Sequence, residues 1–210
     1  MKKFLLLVAF AVFGLTAVQA QDYNFGIKAG LNVSNWGGDT DDFGQDLESR
    51  TSFHVGVVYE YVISDKFSLQ PEVIYSQQGV TFESTFQDFG GEFKSEGKFK
   101  TSYLNVPIIA KIYVIEGLSL QVGPQLGFLI DAEDEAELSG PDFSDSDTRD
   151  ASDDYESFDF SGAFGIGYKL EMGLFLDARY TLGFTNILEG APDDFSVTNN
   201  VLQISVGYIF

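Results

Sequence analysis

Seven charged side chains, Lys28, Glu60, Glu72, Lys111, Lys169, Asp177 and Arg179, stand among small neutral residues in stretches where every second residue is apolar. They are too far apart in sequence to form a local motif, so any chemistry they do depends on the fold gathering them. In a poorly hydrated interior such charges are costly unless paired and hydrogen-bonded. The expected result is a salt-bridge network, with a path for protons or small ions as the alternative. His54, the only histidine, lies two residues from Ser52, which raises a Ser/His acyl-transfer site. Both residues fall on the same face as the charges, away from the apolar one, and spacing alone does not make a catalytic pair.

Between Asp131 and Ser157 twelve acidic residues accompany one basic residue, Arg149. Such a run reads as a solvated loop that repels anionic surfaces. Carboxylates are also the ligands of hard cations. Asp145, Asp147 and Glu156 fit positions one, three and twelve of a calcium loop, although Arg149 and Asp150 stand where a ligand and a glycine belong. No cofactor is expected; weak Ca²⁺ or Mg²⁺ binding by these three residues is the alternative to a plain solvated run. Phe82, Phe86, Phe93 and Phe99 form a third group. Their parity is opposite to that of the apolar positions in the flanking segments, which suggests a bulge near Gly79 and a hairpin with its tip at Asp88 to Gly91. Its aromatics would form a lid over the interior or a surface for a partner.

The elements that must position these groups are eight segments of period-two alternation. The first sets Phe25, Ile27, Ala29, Leu31 and Val33 against Gly26, Lys28, Gly30, Asn32 and Ser34. The others follow the same rule near Ser52–Tyr61, Phe67–Ser76, Leu104–Ile112, Leu118–Phe128, Phe158–Lys169, Leu174–Phe184 and Leu202–Phe210. Each is about as long as a tilted strand needs to cross a bilayer, ~9–11 residues. Connections alternate between short turns, at Ser64-Asp65, Glu116-Gly117 and Glu171 to Gly173, and long ones, at Asn35 to Arg50, Gln77 to Lys98, Asp131 to Ser157 and Thr185 to Thr198. The polar face is too sparse in Lys and Glu to be a water-exposed surface, and the apolar face is nearly free of charge. The fold class is therefore all-β: an eight-stranded antiparallel up-and-down transmembrane β-barrel with four long outer loops and short periplasmic turns.

Lys2 and Lys3, the apolar stretch from Phe4 to Ala17, and Val18-Gln19-Ala20 have the form of a secretory signal. The expected organisation is a cleaved segment over residues 1–20 and one barrel domain over 21–210. Without Lys2 and Lys3 the chain carries ten basic against 32 acidic side chains, which disfavours nucleic acid as a partner. With no cysteine there is no disulfide framework or thiolate metal site.

The opening Phe25-Gly26-Ile27-Lys28-Ala29-Gly30-Leu31-Asn32, the strand Tyr103-Leu104-Asn105-Val106-Pro107-Ile108-Ile109-Ala110-Lys111, and Asp177-Ala178-Arg179-Tyr180 with Gly183-Phe184-Thr185-Asn186-Ile187 carry a resemblance. The chain resembles the small outer-membrane β-barrel family of the Bacteroidota, the porin-family or PorT-like proteins, over essentially its whole mature length. The terminal Tyr208-Ile209-Phe210 is similar to the signal read by the barrel-assembly machinery, with Tyr208 and Phe210 as its aromatic residues. The resemblance implies a monomer in the outer membrane of a Gram-negative bacterium, in contact with outer-membrane lipid. Its outer loops would serve envelope structure, an extracellular or envelope protein or polysaccharide partner, or a secretion or assembly complex. A narrow channel for small solutes or ions and a lipid-modifying enzyme are the alternatives.

Overall fold

The computed structural model describes residues 24–40, 47–88, 91–140, 143–192 and 194–210. The export segment expected at residues 1–20 lies outside them. Among the described residues ten strands form: β1 (Phe25–Gly38), β2 (Leu47–Tyr59), β3 (Tyr61–Ser64), β4 (Phe67–Asp88), β5 (Gly91–Ile115), β6 (Leu118–Gly140), β7 (Phe143–Asp150), β8 (Phe158–Lys169), β9 (Leu174–Gly183) and β10 (Val197–Ile209). Each neighbour pair is antiparallel. β1 pairs with both β10 and β2, and β2 pairs with β4, so the sheet closes on itself. The strands make eight staves, because β2 and β3 form one stave interrupted at Glu60, and β7 stands above the ring, paired to β6. Closure removes the sheet edges that would otherwise be left unpaired in lipid.

The alternation sets the facing of every stave. Leu31, Phe53, Val122, Phe164, Leu176 and Ile204 point outward and are exposed, while Lys28, His54, Gln121, Asp177, Arg179 and Gln203 on the intervening positions are buried. Burial of the polar set and exposure of the apolar set is the inverse of a soluble barrel and matches a lipid-facing band. The first short turn falls at Asp65-Lys66, one residue beyond its expected place; the other two turns are at Glu116-Gly117 and around Glu171 to Gly173.

On the long-loop side the strands run further than the composition suggested. β4 and β5 continue as a paired hairpin to Asp88 and Gly91, and β6 continues to pair with β7 through Glu133 to Gly140. The acidic stretch read as a solvated loop is therefore largely strand. Glu133, Glu135 and Glu137 share one face of β6, and Glu135 meets cations of β5 across the sheet. Glu135 is hydrogen-bonded by Lys100 and lies 3.9 Å from Lys98; the Lys100 ammonium holds the Glu135 carboxyl below its usual range. Opposite charges on neighbouring strands are favourable pairs, which a count of acids along one segment does not reveal.

The irregularity expected near Gly79 is present, but the extra residue belongs to β2, whose Ser49–His54 stretch faces Ser76–Val80 of β4. β4 and β5 keep one register from Phe67 through Gly79 to Asp88. The irregularities fall on β2 between Ser49 and His54 and at the Ser102/Tyr103 step of the β5–β6 pair, opposite Leu129 and Asp131. Val80, Phe82, Phe93 and Phe99 need no phase change, because they continue the inward-facing alternation of their strands. Gly79 is nonetheless constrained: its φ is +127°, and a Cβ there would lie 1.9 Å from the Phe99 carbonyl oxygen. Gly79→Ala is expected to cost ~1–3 kcal/mol through backbone strain. A lower urea midpoint of the refolded barrel would report it, and an unchanged midpoint would show that β4 relaxes at that point.

Candidate functional site

The barrel interior holds all seven charges in two groups. In the first, Glu72 accepts two hydrogen bonds from the Arg179 guanidinium, at 3.0 and 2.9 Å, one from Lys28 at 3.2 Å and one from Gln70 at 2.6 Å. Asp177 accepts from Gln121 at 2.7 Å, and its other oxygen lies 3.9 Å from Lys28 and 3.8 Å from Arg179. Arg179 also donates to Gln121 at 2.8 Å. Two cations and two anions thus neutralise one another, and the guanidinium fork meets its carboxylate in the bidentate geometry that makes such pairs strong. In the second group, nearer the short turns, Glu60 accepts from Lys169 at 2.6 Å and Ser68 at 2.8 Å, is hydrogen-bonded by Tyr113, and lies 3.9 Å from Lys111. The Lys111 ammonium sits 5.4 Å from the centre of the Phe175 ring, a cation–π contact.

Three features of the interior escaped the reading of alternation. Asp159 is buried and accepts a hydrogen bond from Thr185 at 2.7 Å; it brings the interior charges to four of each sign. Its place on the polar face of the sixth segment was the available signal. Ile74, Ile109 and Phe175 face inward despite being apolar, and only their parity gives them away. Two apolar clusters flank the charges. Val58, Phe175 and Ile209 pack together toward the short turns. Trp36, Val80, Ala132, Ala151, Tyr155, Ile187 and Val197 pack at the long-loop end. Trp36 stacks on Phe99 at 5.2 Å and leans on Tyr155 at 6.3 Å. Burial pushes the Tyr155 phenol well above its usual range, so it stays neutral. Asn186 shapes the last loop over this cluster by donating to the Phe195 carbonyl and accepting from the Leu188 and Val197 amides.

Ser52 and His54 do not meet as a pair. Ser52 donates to the Gln77 carbonyl at 2.6 Å. The His54 ring instead lies between Asn32 Oδ1 and Ser205 Oγ, each at 2.8 Å. Because the amide oxygen only accepts, Nδ1 carries the proton toward Asn32 and Nε2 accepts from Ser205. The order hydroxyl, imidazole, orienting group is that of a nucleophile, base and positioner. All three are almost wholly buried, at 2 %, 1 % and 0 % exposure for Ser205, His54 and Asn32. Asn32 is further fixed by donating to Ser76 and the Gln77 carbonyl. A reacting group needs a place to sit beside the nucleophile, and a trio this deeply buried offers almost no exposed surface to one.

Asp145 and Asp147 stand two apart on β7, while Glu156 lies beyond β7 and a short 3₁₀ turn, Ser152–Asp154. The strand extends the segment that a calcium loop would have to wrap. Among the described residues no three His, Cys, Asp or Glu side chains gather as they would around a metal ion. Of the four aromatics, Phe82 and Phe99 are in contact at 5.6 Å, and Phe99 joins the cluster around Trp36. Gly97 makes room for Phe82, since a Cβ there would lie 2.2 Å from that ring. Phe93 instead sits near the hairpin tip, 6.0 Å from Phe143, and the backbone of Phe86 is paired with that of Phe93. A cleft of about 500 Å³ opens on this standing sheet, lined by Phe82, Gly97, Ala136 and Asp147 with Glu48, Glu83, Glu96 and Glu137 among the residues around them. At the other end of the barrel Tyr208 and Phe210 form an edge-on pair at 5.4 Å, both exposed on the outer wall.

A closed ring of eight staves with an apolar outer wall and a charged, buried interior defines an outer-membrane β-barrel. The chain belongs to the outer membrane protein beta-barrel domain family, whose model matches residues 19–189. That membership places it in the outer membrane. No curated protein sequence matches it. Among solved structures it is similar to Ail, the attachment invasion locus protein of Yersinia pestis, at 16% identity and a TM-score of 0.47, covering 90% of this chain and 100% of Ail. It is also similar to Neisserial surface protein A, at 14% identity and a TM-score of 0.43, covering 89% and 97%. Against OprG from Pseudomonas aeruginosa the identity is 13% and the TM-score 0.38, with 91% and 98% covered.

Proposed function

We propose that this protein is a non-enzymatic outer-membrane barrel with a plugged lumen, which works through the structures on its long-loop side in envelope organisation and partner binding. The observation that carries the plug is the bidentate Arg179–Glu72 pair in mid-lumen, with apolar clusters at both ends of the interior. Eight strands enclose a space that side chains can fill, whereas open channels belong to wider barrels. The PorT-like resemblance to proteins of the Bacteroidota makes a component of a secretion or envelope-assembly complex the specific form of this reading. Residues 1–20 then serve as its cleaved export signal, and Tyr208 and Phe210 as its signal to the assembly machinery. Burial of the Ser205–His54–Asn32 trio supports a structural role for it, so His54→Ala is expected to leave any lipid turnover by the purified barrel at background.

The test is single-channel recording of the refolded protein in planar bilayers, after a heat-modifiable gel shift has shown it to be folded. No discrete steps are expected. A second reading, a narrow conducting path, draws on a specific observation: Thr101, Asn105, Gln125, Asp177, Thr181, Asn199 and Gln203 each keep a buried polar atom without a hydrogen-bond partner in the protein. Buried polar groups of this kind are commonly satisfied by internal water. Discrete conductance would carry that second reading and overturn the plug.

A further inference from the structure

The hairpins on the long-loop side form a sheet that stands free of the ring. Its rows follow from the pairing: Val80, Phe99, Asp134 and Arg149 in one, Phe82, Gly97, Ala136 and Asp147 in the next, then Ser84, Ser95, Leu138 and Asp145. Val80 and Phe99 turn toward the barrel axis, so the residues in these rows share that face. The sheet ends at β7. Among the described residues no strand pairs with the far side of β7, and all eight of its residues are exposed. An eight-residue edge with unpaired backbone groups, no proline and no glycine is a template for another strand. Natural edges are blunted by charged side chains, proline or a bulge; β7 has neither proline nor a register shift, and its charges are aspartates plus one cation, Arg149, held by Asp134 at 2.6 Å and Asp154 at 2.8 Å, so it repels acidic strands and leaves basic ones free to pair.

We propose that the free edge of β7 is a docking site for an extended segment of a partner protein that carries Lys or Arg at alternate positions. The charge pattern selects that occupant. On the axis-facing side β7 presents Phe143, Asp145 and Asp147 in succession, and on the other side the neutral Ser144, Ser146 and Thr148. A strand added beside it would place every second side chain next to Asp145 and Asp147, where a cation is favourable and an anion costly. The next position meets Phe143, 46% exposed and backed by Phe93, where an apolar side chain fits. The intervening positions face hydroxyls and tolerate most residues. Main-chain hydrogen bonds would supply affinity and the alternate side chains specificity, as in other strand-addition complexes. A second copy of this chain is disfavoured as the occupant, because antiparallel β7 strands from two copies would bring their aspartates together and the chain carries a net charge of −20.

This site rests on the reading that the protein works through its long-loop side, and its test is separate from the recording that examines the lumen. The full chain, refolded in zwitterionic detergent, is titrated by fluorescence anisotropy with two labelled peptides matched in length to β7. Both alternate lysine with threonine and end on leucine, and the second is N-methylated at alternate amides so that it keeps its charge but cannot pair on one edge. The first peptide is expected to bind and to slow hydrogen exchange of β7 amides. The N-methylated one is expected to bind roughly tenfold more weakly or less, since each lost backbone hydrogen bond is worth severalfold in affinity. Asp145→Asn with Asp147→Asn should weaken the first peptide and relax the preference for lysine over glutamine. Equal binding of the two peptides, or no binding of either, overturns the site. If the barrel is electrically silent in that case, the plugged-lumen reading still stands.

Discussion

Replacing Arg179 by alanine is expected to destabilise the barrel by about 3–5 kcal/mol, the usual cost of removing one member of a buried ion pair. Arg179 is 1% exposed and makes both bonds of the bidentate contact to Glu72. Without it Glu72 keeps Lys28 and Gln70, but the group of four charges becomes net negative and Asp177 loses one of its two nearby cations. The full cost therefore comes less from the lost attraction than from leaving a carboxylate buried without balance. That argument separates two variants. Arg179→Met combined with Glu72→Met should be milder than Arg179→Ala alone, because exchanging a buried pair for apolar side chains of similar volume is often neutral. Urea unfolding in lipid vesicles, followed by the gel shift and by the fluorescence of Trp36, the only tryptophan, measures both. An Arg179→Ala midpoint equal to that of the parent chain would mean that the ion pairs do not hold the interior together.

The facing of the staves was legible because lipid on one side and a packed interior on the other impose a strict period of two. A single strand such as Leu118 to Phe128, alternating Leu120, Val122 and Leu126 with Gln121, Gly123 and Gln125, states which side is which. The positions of the interior charges follow from the same rule. Their partners do not. Arg179 meets Glu72 across 107 residues of sequence and His54 meets Ser205 across 151. Such contacts depend on the stagger of the closed ring, and that stagger leaves no local mark. Ser52, the nearest hydroxyl to His54 in sequence, turned out to bond a backbone carbonyl instead.

The long-loop side was misread for a different reason. Composition treats Asp131 to Asp150 as a charged run, yet the residues that settle its conformation lie on another strand. Lys98 and Lys100 of β5 face Glu135 of β6, and the pairing register, not the net charge, decides whether acids repel or bind. The same holds for Phe82 and Phe99. Their change from the apolar phase of the membrane segments looked like a defect in the strand, whereas it marks the level at which apolar residues stop facing lipid and start facing the axis. Above that level, on β4 and β5, the outer side carries Glu83, Glu96 and Lys98 while Val80, Phe82 and Phe99 turn inward, the ordinary arrangement of a sheet in water.

That inversion gives the second large effect. Val122→Arg, in the middle of the membrane portion of β6, is expected to cost about 2–4 kcal/mol, the range for a cation on the lipid face near the bilayer midplane. Val122 is 53% exposed and is flanked across the ladder by Ala110 and Phe164, so no carboxylate lies on the neighbouring strands at that row to receive the guanidinium. Its long side chain can reach toward the headgroups, and from mid-wall this recovers only part of the cost. Ser139→Arg, on the same strand but above the ring, lies on the side that carries Glu137 and across the ladder from Lys94, whose ammonium is already held by Glu83 and Glu96; it should stay within about 0.5 kcal/mol of the parent chain, as water-exposed substitutions usually do. Two arginines on one strand would then differ by several kcal/mol according to height alone. The measurement is the folded fraction of each variant across a urea series in vesicles. Equal stability of the two would place the apolar wall in water and overturn the membrane orientation of the barrel.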